Sequence, residues 1–253
     1  MSYVDSVLIN EKYFELERGF KFANFVSPFI KRLTGPPRRK SVSEIILHET
    51  VTRNREITLG VLERRGLAAH FIVDQHGDVS QHGDLVLDQL AHAGRVHNPH
   101  SIGIEIVNPY YPEYNLEGPW DTTIEAHWAH KNKYILPTAF QAEAVYQLVK
   151  ALTEFKADRF DIPRNWIGFD AKRQRFDMSR LWRARFPLPG IMAHSTFGHA
   201  DGAWPMLYCV LRDWYDLRHT QLSEGGAVWA YNKAKKLGTT TKQWADLRGI
   251  SCG

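Results

Sequence analysis

Cysteine is nearly absent from this 253-residue chain, with Cys209 and Cys252 the only two. Cys209 lies in the apolar run Leu207-Tyr208-Cys209-Val210-Leu211, where a thiol packs as a small hydrophobe, and Cys252 sits beside the C-terminus. Such a pair gives no disulfide framework. Long hydrophobic runs are missing too, and no stretch approaches the length of a membrane span. The N-terminus, Met1-Ser2-Tyr3-Val4-Asp5, runs on through Glu11, Glu15 and Glu17, without the unbroken apolar segment of a signal peptide. The chain is therefore expected to be made in the cytoplasm as a soluble product, with any export using another route. Internal repeats and low-complexity segments are also lacking.

Excess charge is small, at +4 with a pI near 9.0. That balance favours adsorption to an anionic polymer but does not choose between nucleic acid, teichoic acid and cell wall. Aromatic residues are plentiful, at 12% with eight Trp and ten Tyr. Flat amphipathic rings suit sugar faces, although most such rings serve packing. A hydrophobic share of 43% with 24% charged residues fits a soluble globular protein, and the length suits one domain with elaborations.

Residues 1–40 read as a mixed extension closing on Thr34-Gly35-Pro36-Pro37-Arg38-Arg39-Lys40, a loop whose basic run is expected to be a solvated face. A short β-branched run at 43–48 predicts a buried strand, and 57–65 a helix ending at Gly66. Residues 68–73 and 79–82 predict a hairpin turning at Gln75-His76-Gly77-Asp78, and 101–107 a further strand. Thr138 with Gln141 forms a capping-box pattern for a helix running to about Phe155. A strand at 191–194 and an apolar helix at 206–214 follow, with two small helices from Ser223. Interleaved strands and helices predict an α/β fold with a central mixed sheet. Two long segments, 108–136 and 158–189, interrupt it with clustered aromatic residues; long loops of this kind are functional or carry structure of their own, and at least one of the two is expected to shape a substrate groove.

His48 and His194 each end an apolar run, where a histidine is either a ligand of an open metal site or a satisfied structural group. Asp201 and His199 follow His194 within one loop, close enough for their side chains to converge on its imidazole. Zinc takes imidazole nitrogen and carboxylate oxygen, and a catalytic site keeps three protein ligands with a fourth position for water. Glu105 alternates with Ile104 and Ile106, which turns its carboxylate to the opposite face of the strand. Burying it there is costly unless it pairs with an arginine or serves as a base.

Five segments in order give these residues a sharper setting: Ile46-Leu47-His48-Glu49-Thr50, Ala69-His70-Phe71-Ile72-Val73-Asp74, Ala91-His92-Ala93-Gly94, Asn98-Pro99-His100-Ser101-Ile102-Gly103-Ile104-Glu105, and Gly190-Ile191-Met192-Ala193-His194. From about Val42 to Leu217 the sequence resembles the N-acetylmuramoyl-L-alanine amidase family, which includes muropeptide-recycling enzymes, phage lysozyme-amidases and peptidoglycan recognition proteins. The resemblance implies the amidase and peptidoglycan-recognition fold, with a catalytic domain at 41–222 between an N-terminal extension, 1–40, and a C-terminal helical extension, 223–253. It implies zinc bound by His48, His194 and Asp201, with His199 as the rival third ligand. Glu105 matches the catalytic carboxylate of recycling-type members, and Ala69 stands where some phage members carry a catalytic tyrosine. His199 occupies the place of an oxyanion-stabilising lysine, and His92 is expected to line the substrate pocket or hold a strand. The implied reaction is hydrolysis of the amide joining N-acetylmuramic acid to L-alanine. The expected partner is peptidoglycan or a muropeptide, with no nucleic acid and no integral membrane segment; oligomeric state is left open. A non-catalytic peptidoglycan-binding module, or a zinc hydrolase acting on another amide, are the alternatives. Action in the cytoplasm, as in recycling, and action at the cell wall after lytic release or delivery both fit such a chain.

Overall fold

The computed structural model describes residues 6–16, 22–23, 31–111, 113, 118–120, 122–125, 131, 133–173, 175–176, 181–197 and 201–215. An antiparallel hairpin of β1 (Ser6–Ile9) and β2 (Lys12–Glu15) comes first, followed by β3 (Phe22–Ala23). Next come β4 (Glu44–Glu49), α1 (Arg55–Arg64), β5 (Phe71–Val73), β6 (Val79–Gln81), the short α2 (Gly94–His97) and β7 (Ser101–Ile106). β8 (Thr123–Glu125) and β9 (Lys133–Ile135) precede the long α3 (Ala139–Glu154). β10 (Lys156–Ala157), β11 (Phe160–Asp161), β12 (Phe169–Asp170) and β13 (Arg175–Phe176) lead to β14 (Gly190–Ala193) and α4 (Ala203–Tyr215).

The central sheet has the order β14-β4-β7-β5-β6-β3. β14, β4, β7 and β5 are parallel neighbours, β6 returns antiparallel to β5, and β3 lies parallel to β6. This is the mixed sheet that the alternation of strand and helix patterns predicts. Register decides what each face carries, because side chains alternate along a strand. On one face Ile45 pairs with Ile102 and Leu47 with Ile104. They join Phe71, Val145, Leu148, Val149 and Leu152 and the α4 residues Leu207, Val210 and Leu211 in a single apolar cluster. Each such fully buried side chain contributes about 1.5–3 kcal/mol by leaving water. On the other face Glu44 pairs with Ser101, Ile46 with Gly103 and His48 with Glu105.

Local chemistry sets the helix ends. Thr138 Oγ1 accepts from the Gln141 N–H while Gln141 Oε1 accepts from the Thr138 N–H, so the predicted capping box forms. α1 begins two residues before the predicted start, because Asn54 Oδ1 caps the Ile57 N–H at 2.8 Å. Its far end closes at Gly66, whose φ of +64° a side chain would strain. The strand expected at 68–73 is regular only from Phe71. Before that the backbone is shared between two partners, with the Ala68 N–H on the Ala91 carbonyl and the His70 N–H on that of Gly103.

Arg38 corrects the expectation of a solvated basic run. It is only 3% exposed. Its guanidinium donates to the carbonyls of Asp88, Asn98, Pro99 and Ser101, which offsets the cost of burying the charge. Burial pulls its pKa down to about 10. The two long segments carry structure of their own: β8 pairs with β9 in the first and β12 with β13 in the second, whose β11 also pairs back to β10 just before it. Cys209 is buried and free, as the apolar run predicts. Among the described residues no helix is long and apolar enough to cross a membrane. The helices expected after Ser223, and Cys252, lie outside the described residues.

Candidate active site

Three parallel strands, β14, β4 and β7, bring three of the sequence-predicted residues to one edge of the polar face, His194 just past the end of its strand. Met192 pairs with Ile46, so His194, two residues on, arrives level with His48, and His48 pairs in register with Glu105. The His48 and His194 rings lie 4.3 Å apart, centroid to centroid. Asp201 enters from the loop after His194. Each of its carboxylate oxygens lies 3.1 Å from His194 Nδ1, and Oδ1 is 3.6 Å from His48 Nδ1. Together His48, His194 and Asp201 present one donor atom each, all within 4.8 Å of one another, the one such cluster among the described residues. Two imidazole nitrogens and a carboxylate oxygen at that spacing suit a zinc ion with one position left for water.

The backbone just after Asp201 is pressed against β4. A Cβ on Gly202 would meet the Leu47 carbonyl oxygen at 1.9 Å, and its φ is +77°. Only glycine fits both demands. The Gly202 N–H donates to Glu49 Oε2 at 3.2 Å. Glu49 Oε1 accepts from Asn108 Nδ2 at 3.0 Å and from the Tyr134 hydroxyl. Burial works to raise the Asp201 pKa, but the His194 hydrogen bond, then that of His48, outweigh it and hold the carboxylate well below its usual range.

Glu105 faces the same space. Only 8% exposed, it takes its charge from a site whose desolvation pushes its pKa up to about 7, with Asp201 adding to the rise and His48 and Arg65 opposing it. The salt bridge that would make it a structural residue does not form among the described residues. A carboxylate poised near neutrality at the wall of a cleft has the properties of a general base.

The cleft itself has a volume of about 660 Å³ and lies between α1 and the segment 91–98 that contains α2. Thr58, Val61, Leu62 and Arg65 form one wall, and Ala93, Gly94, Arg95 and Asn98 the other. His48, His92, Glu105, His194 and Asp201 also line it. Among the described residues, none from 108–136 or 158–189 contributes to this lining. His92 lies against the strands below: its Nδ1 is 3.2 Å from His48 Nε2, and its Nε2 is 3.1 Å from Ser101 Oγ. Burial, followed by the charges of His48, His70, Arg38 and His194, lowers its pKa well below the ordinary value. His199 falls outside the described residues.

Sequence reasoning passed over Glu49, Ser101, Gly103, Gly202 and Arg38 as participants. The glycines carried a signal: Gly103 inside a strand pattern marks a close approach. Glu49 sat beside the named histidine but offered no spacing of its own.

The sequence profile of the N-acetylmuramoyl-L-alanine amidase family matches residues 38–203. A search of curated proteins finds no match. Among solved structures, a mutant endolysin from Bacillus subtilis is 16% identical, with 81% of this chain and 99% of that chain covered and a TM-score of 0.40. An endolysin N-acetylmuramoyl-L-alanine amidase from Clostridium intestinale is 14% identical, with 67% and 83% covered and a TM-score of 0.35. A peptidoglycan recognition protein in complex with tracheal cytotoxin is 19% identical, with 53% and 74% covered and a TM-score of 0.36. The profile match spans well over half of the 253 residues and includes every described residue of the donor cluster, so this chain belongs to the N-acetylmuramoyl-L-alanine amidase family.

Proposed function

We propose that this protein is a zinc-dependent N-acetylmuramoyl-L-alanine amidase that hydrolyses the amide between the lactyl group of N-acetylmuramic acid and the L-alanine of the stem peptide. The observation that carries this reading is the row formed by Glu105 on β7, His48 on β4 and His194 just past the end of β14, opening on one cleft. His48, His194 and Asp201 would hold the ion. Zinc in that position would supply Lewis acidity to the scissile carbonyl and to the attacking water. Glu105 takes a proton from that water and passes it to the departing amine, a role its raised pKa suits. His199, assigned from sequence alone, steadies the developing oxyanion. His92 lines the floor of the substrate cleft. Arg65 and Arg95 on the two walls match the carboxylates of a stem peptide. Residues 41–222 form the catalytic unit in this reading, and 1–40 and 223–253 are extensions to it.

Purified murein tests the assignment. Glu105→Ala is expected to abolish release of stem peptides while zinc stays near one ion per chain, and undiminished release would refute the role of Glu105. A wild-type protein that binds murein but neither zinc nor hydrolyses it would instead be a peptidoglycan-binding module.

A further inference from the structure

Ser101 Oγ lies 2.8 Å from the carbonyl oxygen of His97. A carbonyl can only accept, so the single hydroxyl hydrogen of Ser101 is committed to it. The same Oγ lies 3.1 Å from His92 Nε2, and with its hydrogen already placed it can only accept there. His92 Nε2 therefore carries a hydrogen. His92 is buried, and among the described residues its side chain has no carboxylate partner to support an imidazolium, so the ring is neutral and its Nδ1 is bare. That Nδ1 lies 3.2 Å from His48 Nε2, which must then be the donor. With Nε2 engaged as a donor, Nδ1 is the ring nitrogen of His48 left for another partner. This is the atom that faces Asp201 in the donor cluster.

The backbone makes room for this chain of bonds. A Cβ on Gly103 would meet His92 Cγ at 2.6 Å and Nδ1 at 2.7 Å, so the imidazole fills the place where the residue 103 side chain would stand. Asn98 Oδ1 fixes the loop above it, accepting from the His92 N–H at 3.1 Å and the Ala93 N–H at 2.7 Å. The His92 and His48 rings meet edge to face, at 87°. We propose that His92 is a positioning residue: through a one-way hydrogen-bond path from His48 to the His97 carbonyl, it holds the His48 Nε2–H as a donor and aims Nδ1 into the donor cluster. The consequence for metal binding rests on the reading of His48 as a zinc ligand; the hydrogen-bond path does not.

Both parts can be measured on the full chain. Long-range proton–nitrogen correlation spectra of the metal-free protein, labelled at histidine, report which ring nitrogen carries hydrogen. Wild-type His48 and His92 should each show a protonated Nε2, with a bare Nδ1 on His92, and the Nε2 hydrogen of His48 should exchange faster with solvent in His92→Leu. Zinc affinity, read by competition with a chromophoric chelator, should fall about 10–100-fold in His92→Leu. Gly103→Ala, which forces the ring from its seat, should fall comparably. His92→Asn keeps an acceptor near the position of Nδ1 and should recover most of the affinity. Ser101→Ala, which leaves the ring in place and removes only its acceptor, should lie between and guards against misfolding of the harsher variants. A wild-type His48 with a bare Nε2 overturns the proposal, as does unchanged zinc affinity in both His92→Leu and Gly103→Ala. A wild type that fails to bind zinc while its His48 shows the protonated Nε2 defeats the amidase reading and leaves the hydrogen-bond path supported.

Discussion

Ile104 and Glu105 are consecutive in β7, yet Ile104 enters the apolar layer beneath α3 and α4 while Glu105 opens on the cleft beside His48. The same contrast holds along β4, where Leu47 packs toward the helices and His48 joins the donor cluster. One face gains stability from burial and asks nothing of chemistry. The other buries a carboxylate and several imidazoles, which costs stability and is retained for function. A strand one residue out of register would exchange the two sets, so the core that holds the fold also fixes the site.

The largest expected effect comes from removing a donor. His48→Ala, or dialysis of wild type against a strong chelator, should take murein hydrolysis to background, and readdition of zinc should restore only the wild type. Next, the neighbours in β7 should separate cleanly. Glu105→Gln should lower kcat by about 10²–10⁴ and leave the melting temperature of the metal-free protein unchanged or higher, because a buried carboxyl with a raised pKa is removed. Ile104→Ala should cost about 2–5 kcal/mol in denaturant unfolding with kcat nearly intact in the folded fraction. Equal losses of stability in the two variants would break the division between faces. Gly202→Ala is expected to damage both, because the residue meets the Leu47 carbonyl and holds the loop of Asp201; chelator competition and thermal melts would show zinc affinity and stability falling together. A smaller change is expected from Arg95→Ala, which should raise KM for a carboxylate-bearing muropeptide roughly 5-fold, the equivalent of about 1 kcal/mol for an exposed charge pair, with kcat unaltered.

Buried histidines give the mildest test. Burial lowers the pKa of His82 to about 4 and that of His70 well below its ordinary value. The unfolded chain takes up these protons near pH 6.5 while the folded one does not, so their contribution is present above 6.5 and is lost as pH falls toward 4. Melting temperature should therefore drop on acidification through that window, and His82→Asn should flatten the decline. A profile with the same slope in both proteins would remove His82 from the account.

How much of this was readable in advance depended on whether a feature is local. The alternation Ile102-Gly103-Ile104-Glu105 placed the carboxylate on the face away from the core, and Thr138 with Gln141 marked the start of α3. The convergence of His48, His194 and Asp201 is a matter of sheet order, and family resemblance, more than spacing, brought it into view. Arg38 shows where local reading fails. Its neighbours Arg39 and Lys40 suggest a solvated run, yet the carbonyls it serves come from residues 88 to 101, and no window of sequence joins them. The long segments were recognised as interruptions, but their small antiparallel pairs are too short to announce themselves by periodicity.

Glu49 has a consequence that reaches beyond its own position. One of its oxygens is tied to Asn108 and Tyr134, at the two ends of the first long segment, and the other to the amide just after Asp201. The described residues of the segment stay out of the cleft lining, yet it shares this anchor with the amide beside Asp201. Changes in its length or sequence would thus shift the Asp201 carboxylate from a distance, which gives evolution a dial for the donor cluster that leaves the other cleft residues alone.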